Sequence, residues 1–160
     1  MLYVLISIIS LLPVLWYQFS LPQRTILDAD LFIRIGQGIL LVYGIAMFYL
    51  GARVYDMSFV LGFSQWRAAK EAGKLPPLPF RTDGVLAYVR HPWYSGGIAL
   101  IWGFGSITDI YLLTRLILSA YFIIGTVHEE KRLVSELGDR YRAYRRRVPM
   151  LIPWKLKKIP

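Results

Sequence analysis

Three stretches of the chain are apolar almost without interruption. Residues 1–17 and 35–52 carry no charged side chain, and 110–127 carries one, Arg115. Each approaches the roughly 20 residues that a helix needs to cross about 30 Å of hydrocarbon. A shorter apolar stretch, 93–106, pairs with 110–127 as a helical hairpin turning around Gly105–Asp109. The pattern predicts an all-α integral membrane bundle of about four transmembrane helices, with interfacial and C-terminal cytoplasmic helices added. The first stretch lacks a basic leader and a small-x-small cleavage site, so it reads as a retained helix, kinked at Pro13.

Between the spans the periodicity changes. Within 58–72, Phe59, Val60, Phe63, Trp66 and Ala69 recur at helical spacing, which predicts an interfacial amphipathic helix with Trp66 at headgroup depth. Gly73 stops it, Pro76, Pro77 and Pro79 force an extended stretch, and Asp83-Gly84 reads as a turn. Further on, Val134, Leu137, Tyr141, Tyr144 and Val148 form one helical face that also takes in Glu130. Gly138-Asp139 interrupts that helix, with Asp139 as the cap of a second piece, and Pro149 ends it. The chain reads as one domain, 1–160: N-terminal helices over 1–52, a cytoplasmic or interfacial segment over 53–92, the hairpin over 93–127, and a C-terminal helix with a basic tail over 128–160.

Composition agrees: 56% of the 160 residues are hydrophobic, although the formal net charge is +9. A soluble domain is about 45–50% apolar. The positive charge is segregated. Segment 53–93 holds six basic residues against three acids, and the tail 128–160 holds ten against four, whereas 18–34 is balanced. Positive-inside counting makes this a multi-pass protein with both termini and the 53–93 segment in the cytoplasm. Lys155, Lys157, Lys158 and Arg145–Arg147 read as anchors to anionic headgroups, and a nucleic-acid partner is set aside. The absence of cysteine excludes disulfides, thiolate metal sites and cysteine nucleophiles.

Two clusters carry candidate chemistry. Arg90-His91-Pro92-Trp93-Tyr94-Ser95-Gly96-Gly97 places proline at a helix start, where its missing N–H costs nothing. The free N–H groups of that start, with Arg90 beside them, favour an anion. Gly96 and Gly97 would let a ligand approach the backbone. At the far end of the hairpin stands Glu129-Glu130, which would take a cation, with Tyr88, Trp93, Tyr94, Tyr141 and Tyr144 as aromatic walls. Plain structural readings stand beside these. His91 is then a helix-start residue, Arg90 a membrane anchor, Gly96-Gly97 a helix contact, Tyr141 and Tyr144 parts of an amphipathic face, and Glu129-Glu130 partners of Lys131 or Arg132.

In order along the chain, Arg90-His91-Pro92-x-Tyr94-x-Gly96, the hairpin, Glu129-Glu130-x-x-Leu133, Leu137-Gly138-x-x-Tyr141-x-x-Tyr144 and Val148-Pro149-x-x-Ile152-Pro153 resemble the isoprenylcysteine carboxyl methyltransferase and phospholipid methyltransferase superfamily. The resemblance covers about residues 80–154. It implies a membrane-embedded methyltransferase that uses S-adenosylmethionine, leaves S-adenosylhomocysteine, and binds the cofactor on the cytoplasmic side. Carried over to matching positions, Arg90, His91, Pro92, Tyr94 and Gly96 form one part of the cofactor site. Glu129 and Glu130 form another, with Tyr141 and Tyr144 near; Tyr88 and Gly97 adjoin the motif. The chain departs from the family at Val85 and Leu86, where proline and tyrosine are usual.

In-line methyl transfer needs alignment of acceptor and methyl and exclusion of water. Arg90 and Glu130 are the expected catalytic pair, and Glu130 and His91 are the expected proton acceptors. No metal is expected. The acceptor is left open among a prenylcysteine carboxylate, an aminolipid and a small thiol, as is oligomer formation in the lipid bilayer. Two other readings fit the same sequence: a glutathione-dependent membrane transferase and a non-catalytic membrane partner or assembly protein.

Overall fold

The computed structural model describes residues 9, 12–13, 16–18, 20–71, 73 and 80–154. The expected first span (1–17) lies largely, and Pro76, Pro77, Pro79 and the terminal lysines wholly, outside them. The chain divides into two compact units: 1–23 with 55–80, and 24–54 with 81–160.

In the smaller unit, Asp56 caps a short helix α2 (Met57–Val60) by accepting the N–H groups of Ser58 and Phe59 at 2.9 and 3.2 Å. A second helix, α3 (Phe63–Lys70), follows Gly62, whose φ of 81° lies in the left-handed region. The single amphipathic helix expected over 58–72 is therefore two pieces, because a left-handed residue cannot continue a right-handed helix. Lys70 covers the Trp66 ring at 4.4 Å, which puts polar charge over that aromatic face.

The larger unit holds α1 (Leu31–Val54), α4 (Pro92–Gly103), α5 (Asp109–Leu137) and α6 (Asp139–Arg147), with one two-stranded ladder of β1 (Thr25–Leu27) and β2 (Ile107–Thr108). The protein is mostly helical. Helix α1 has 24 residues and α5 has 29, so they extend about 36 and 43 Å at about 1.5 Å per residue. In the most apolar 18-residue window of each, only 6% and 11% of residues are buried. A soluble core helix would be mostly buried, so these apolar faces suit lipid. Phe32, Ile39, Val42 and Ile45 on α1 and Leu113, Ile117 and Ile124 on α5 are all exposed. Helix α4 has 12 residues and covers about 18 Å, short of the hydrocarbon thickness. Among the described residues two helices, not four, are long and apolar enough to cross a membrane.

Helix α4 lies against α1 through small residues. A β-carbon on Gly44 would meet Leu100 and the Gly96 carbonyl, and one on Gly96 would meet Met47 and the Gly44 carbonyl, all within 3.0 Å. Close backbone approach of this kind is how helices associate where no hydrophobic driving force separates protein from lipid. The expected turn around Gly105–Asp109 is present. Gly105 has φ 74°, and Ile107 and Thr108 pair antiparallel with Leu27 and Thr25. Arg24 and Asp109 close the ladder: each backbone N–H donates, to the Asp109 carboxylate and the Arg24 carbonyl respectively, at 3.1 Å.

The one charge inside the third apolar stretch is also accounted for. Arg115 is buried and donates to the carbonyls of Phe104, Gly105 and Ser106. Irregular backbone near hydrocarbon is tolerated where protein donors satisfy it. Gly138 breaks the tail helix as expected, with φ 57°. Asp139, however, makes no cap bond; it is the first residue of α6 and pairs with Arg142 at 2.9 Å.

Gly44→Val should lower stability by about 1–3 kcal/mol through overpacking against α4. The check is the unfolding midpoint of the purified protein in detergent; an unchanged midpoint would mean that α1 and α4 do not meet at Gly44.

Candidate active site

Pro92 occupies the first turn of α4, and His91 before it is non-helical, at φ −125° and ψ 71°. The backbone on this side of the helix start is used. The N–H groups of Arg90 and His91 donate to the carbonyls of Pro149 and Met150 at 3.0 and 3.1 Å. The segment after α6 is thereby tied to the start of α4. The same end of the unit receives Glu129 and Glu130 on α5.

Arg90 and Glu130 do not stand apart with a ligand between them. They bind each other, Nε to Oε1 at 2.8 Å and Nη2 to Oε2 at 3.0 Å, and both side chains are buried. Glu130 Oε1 also accepts from the Tyr141 hydroxyl at 2.6 Å and lies 3.0 Å from His91 Nε2, and Oε2 lies 2.8 Å from Arg145 Nε. The third Arg90 nitrogen, Nη1, donates to the carbonyls of Arg145 and Val148. Bidentate pairing with further donors is the arrangement that offsets the desolvation of two buried charges. Tyr144 adds a bond of 2.6 Å to the Leu86 carbonyl. Burial, and then the bond to Glu130, push the Tyr141 phenol above its ordinary value.

Each expected site residue can now be placed. Arg90, His91, Glu130 and Tyr141 form one buried cluster. Tyr144 braces it through Leu86. Tyr88 is half-buried just after a 3₁₀ turn, Gly84–Ala87. Trp93 turns to α1, donating to the Phe48 carbonyl at 3.1 Å. Gly96 and Gly97 do not open the backbone to a ligand: Met47 and Phe48 fill the space at Gly96, and the Phe122 ring fills that at Gly97. Their missing side chains let helices meet. Val85 and Leu86, the two departures, are buried beneath this end of the unit.

The open ground lies next door. A cleft of about 400 Å³ is lined by Tyr94, His128, Glu129 and Arg132. Ligand pockets usually span about 300–1,000 Å³. Glu129 is the exposed member of the acidic pair, its side chain 41% accessible against 5% for Glu130. His91 connects the two, with Nε2 toward Glu130 and Nδ1 3.6 Å from Glu129. The sequence reading missed His128 and Arg132. They lie one before and three after Glu129, on one face of a turn, and that spacing was the available signal. A carboxylate, a guanidinium, an imidazole and a phenol around one cleft suit a small zwitterion.

Fold and site together define a helical membrane protein whose polar end combines a saturated ion cluster with an open, mixed-charge cleft. Known proteins sharpen that class. Over 163 residues the chain is 33% identical to a methanethiol S-methyltransferase of Crocosphaera subtropica, covering 98% of this chain and 61% of that protein. Over 155 residues it is 30% identical to methanethiol S-methyltransferase 1 of Bradyrhizobium diazoefficiens, covering 96% and 54%. Over 77 residues it is 43% identical to the protein-S-isoprenylcysteine O-methyltransferase of Schizosaccharomyces pombe, covering 45% and 32%. The chain thus spans little more than half the length of these methanethiol enzymes. No family model and no solved structure matches it. These matches support a place in the isoprenylcysteine carboxyl methyltransferase-like superfamily.

Removing one partner from a buried pair strands the other charge. Arg90→Ala or Glu130→Gln should therefore destabilise the fold by about 3–5 kcal/mol, read from denaturant unfolding in detergent. A loss of ligand binding with full stability would overturn this structural role of the Arg90–Glu130 pair. The Tyr141 phenol is raised in the folded state, so its contribution is complete below an unfolded value of about 10 and is lost as pH rises beyond it. Tyr141→Phe should remove that part of the alkaline loss of stability, as seen in melting temperature against pH.

Proposed function

We propose that the chain is an S-adenosylmethionine-dependent membrane methyltransferase acting on a small thiol. The observation that carries this reading is the cleft beside the Arg90–Glu130 cluster, with the exposed Glu129 carboxylate and the Arg132 guanidinium, itself paired with Glu136 at 2.9 Å, on its wall, in a chain whose relatives carry thiol methyltransferase names. The match to the prenylcysteine enzyme, over 45% of this chain, supports a second reading, in which a prenylated cysteine is the acceptor instead.

The cleft fits the cofactor by its donor set. When bound, S-adenosylmethionine supplies a methyl group on a sulfonium, already activated for transfer. Glu129 would hold the α-amino group and Arg132 the α-carboxylate, and Tyr94 offers an aromatic face to the positive charge. Glu130 has both oxygens engaged, so it serves as a positioning group and not as the base. Arg90 positions Glu130, and His91 passes that order to Glu129. A thiol that has given its proton to solvent water presents a thiolate as nucleophile, so the chain need supply none; it aligns the sulfur and keeps water out of the transfer itself.

In topology, the cleft end would face the cytoplasm. Arg53 at the end of α1, the Arg90 segment and Arg145–Arg147 at the end of α6 all lie on that side, while the Arg24–Asp109 ladder lies on the other. Both termini would then be cytoplasmic. Four crossings follow if 1–17 forms the first and α4, with its Arg115-satisfied turn, forms the third. Oligomerisation in the bilayer is open to cross-linking.

Purified protein in phospholipid nanodiscs should bind S-adenosylhomocysteine by calorimetry and transfer labelled methyl to methanethiol. Glu129→Gln should weaken that binding about ten-fold, the loss of one charged hydrogen bond, without lowering the melting temperature. Native protein that binds no S-adenosylhomocysteine would return the chain to the non-catalytic reading.

A further inference from the structure

Tyr94 belongs to two structures at once. It lines the cleft beside Glu129, and it begins an aromatic contact that runs down the hairpin. Its ring meets Phe122 edge to face at 5.8 Å and lies over Gly125, whose added β-carbon would be 3.6 Å away. The Phe122 ring in turn covers Gly97, where an added β-carbon would be 3.1 Å from it. Phe122 is seven residues before Glu129 on α5, about 10 Å further toward the apolar part of the helix. The ring pair therefore lies between the polar cleft and the lipid-facing length of α4 and α5.

Helix α4 has a neighbour on each side. Its seam with α1 is closed by backbone on backbone at Gly44 and Gly96, which no side chain can open. Its seam with α5 is closed at Gly97 by a side chain. An acceptor bearing a long hydrocarbon tail must keep that tail in lipid while its head reaches the cleft, because burial from water favours the tail by about 0.8 kcal/mol per CH₂. Such an acceptor needs a gap between helices. A small thiol does not.

The geometry points to Phe122, seated on Gly97 and against Tyr94, as the residue that seals the α4–α5 seam and restricts the acceptor to short thiols. This rests on the methyltransferase reading and names what sets its acceptor range. Phe122 touches no acceptor; it acts by closing the route that a tail would take. Replacing it with alanine leaves two small residues, at 97 and 122, facing each other across the seam.

The test uses native protein and Phe122→Ala in phospholipid nanodiscs, with methanethiol and 1-dodecanethiol as acceptors. Native protein should methylate methanethiol and leave dodecanethiol almost untouched. In Phe122→Ala the dodecanethiol-to-methanethiol rate ratio should rise about ten-fold or more, within the range that a few methylenes of pocket space confer. S-adenosylhomocysteine binding should stay unchanged. An unchanged ratio, or native protein that methylates both thiols equally, overturns the seal. Should the alanine variant fail to fold, Phe122→Leu carries the same comparison with a smaller rise expected. Calorimetric binding of dodecyl methyl sulfide gives a readout free of catalysis: absent in the native protein, present in the variant. If native protein binds S-adenosylhomocysteine but methylates no thiol, the acceptor reading has failed, and this binding comparison alone decides the seal. Dodecyl methyl sulfide binding to native protein would overturn it.

Discussion

A carboxylate at the end of a long apolar helix has to be neutralised or hydrated, and Glu130 is buried. Its five donor contacts come from the Arg90-His91 pair before α4 and from Tyr141 and Arg145 on α6. To bring those groups to one carboxylate, the chain must reverse after α5, and Gly138, with its positive φ, permits the reversal. The tail must then return to the start of α4, which the backbone bonds from Arg90 and His91 to Pro149 and Met150 accomplish. The polar end of the larger unit is thus organised around one buried anion. Its surroundings are costly to leave incomplete, since a half-satisfied network in a low-dielectric site is worse than an apolar one.

The same requirement separates the roles of two adjacent acids. Consecutive residues on a helix point about 100° apart, so when Glu130 turns inward Glu129 is directed elsewhere. Here it reaches the cleft. His91 bridges the pair, one ring nitrogen toward each. The imidazole thus stands between a structural carboxylate and an exposed one, 3.0 Å from the first and 3.6 Å from the second. That division explains how neighbouring acids can serve stability and binding separately.

Some of this was legible in the residues and some was not. Pro92 marked the start of α4, Gly105 the hairpin turn and Gly138 the break in the tail, because each imposes a backbone geometry by itself. The long apolar runs gave α1 and α5 for the same reason: the span length is a one-dimensional property. What the sequence leaves open is pairwise. Nothing local says whether Arg90 and Glu130, 40 residues apart, meet a ligand or each other; both outcomes need the same charges at the same helix ends. Gly96-Gly97 is ambiguous in the same way, since a missing side chain makes room for a ligand or for a neighbouring helix. Apolar spacing also hid the break at Gly62, because Phe59 and Phe63 keep helical spacing across it. The cleft residues His128 and Arg132 were passed over because they lie outside the conspicuous acidic pair.

The short helix α4 shows how one long helix can hold another. A helix carries partial positive charge at its N-terminus and partial negative charge at its C-terminus. Helix α5 runs antiparallel to α4 in the hairpin and presents Glu130 near the first end and Arg115 near the second. The two are 15 positions apart, 115 to 130, or about 22 Å along α5, against about 18 Å for α4 itself. The match puts an anion and a cation where each complements the dipole. Arg90 would oppose the dipole at the N-terminal end if it were unpaired; its bidentate bond to Glu130 removes that conflict. A charge deep in an apolar run and a carboxylate at its exit, which composition alone would mark as defects in a membrane helix, thus hold the two ends of a short helix whose length is packed against α1.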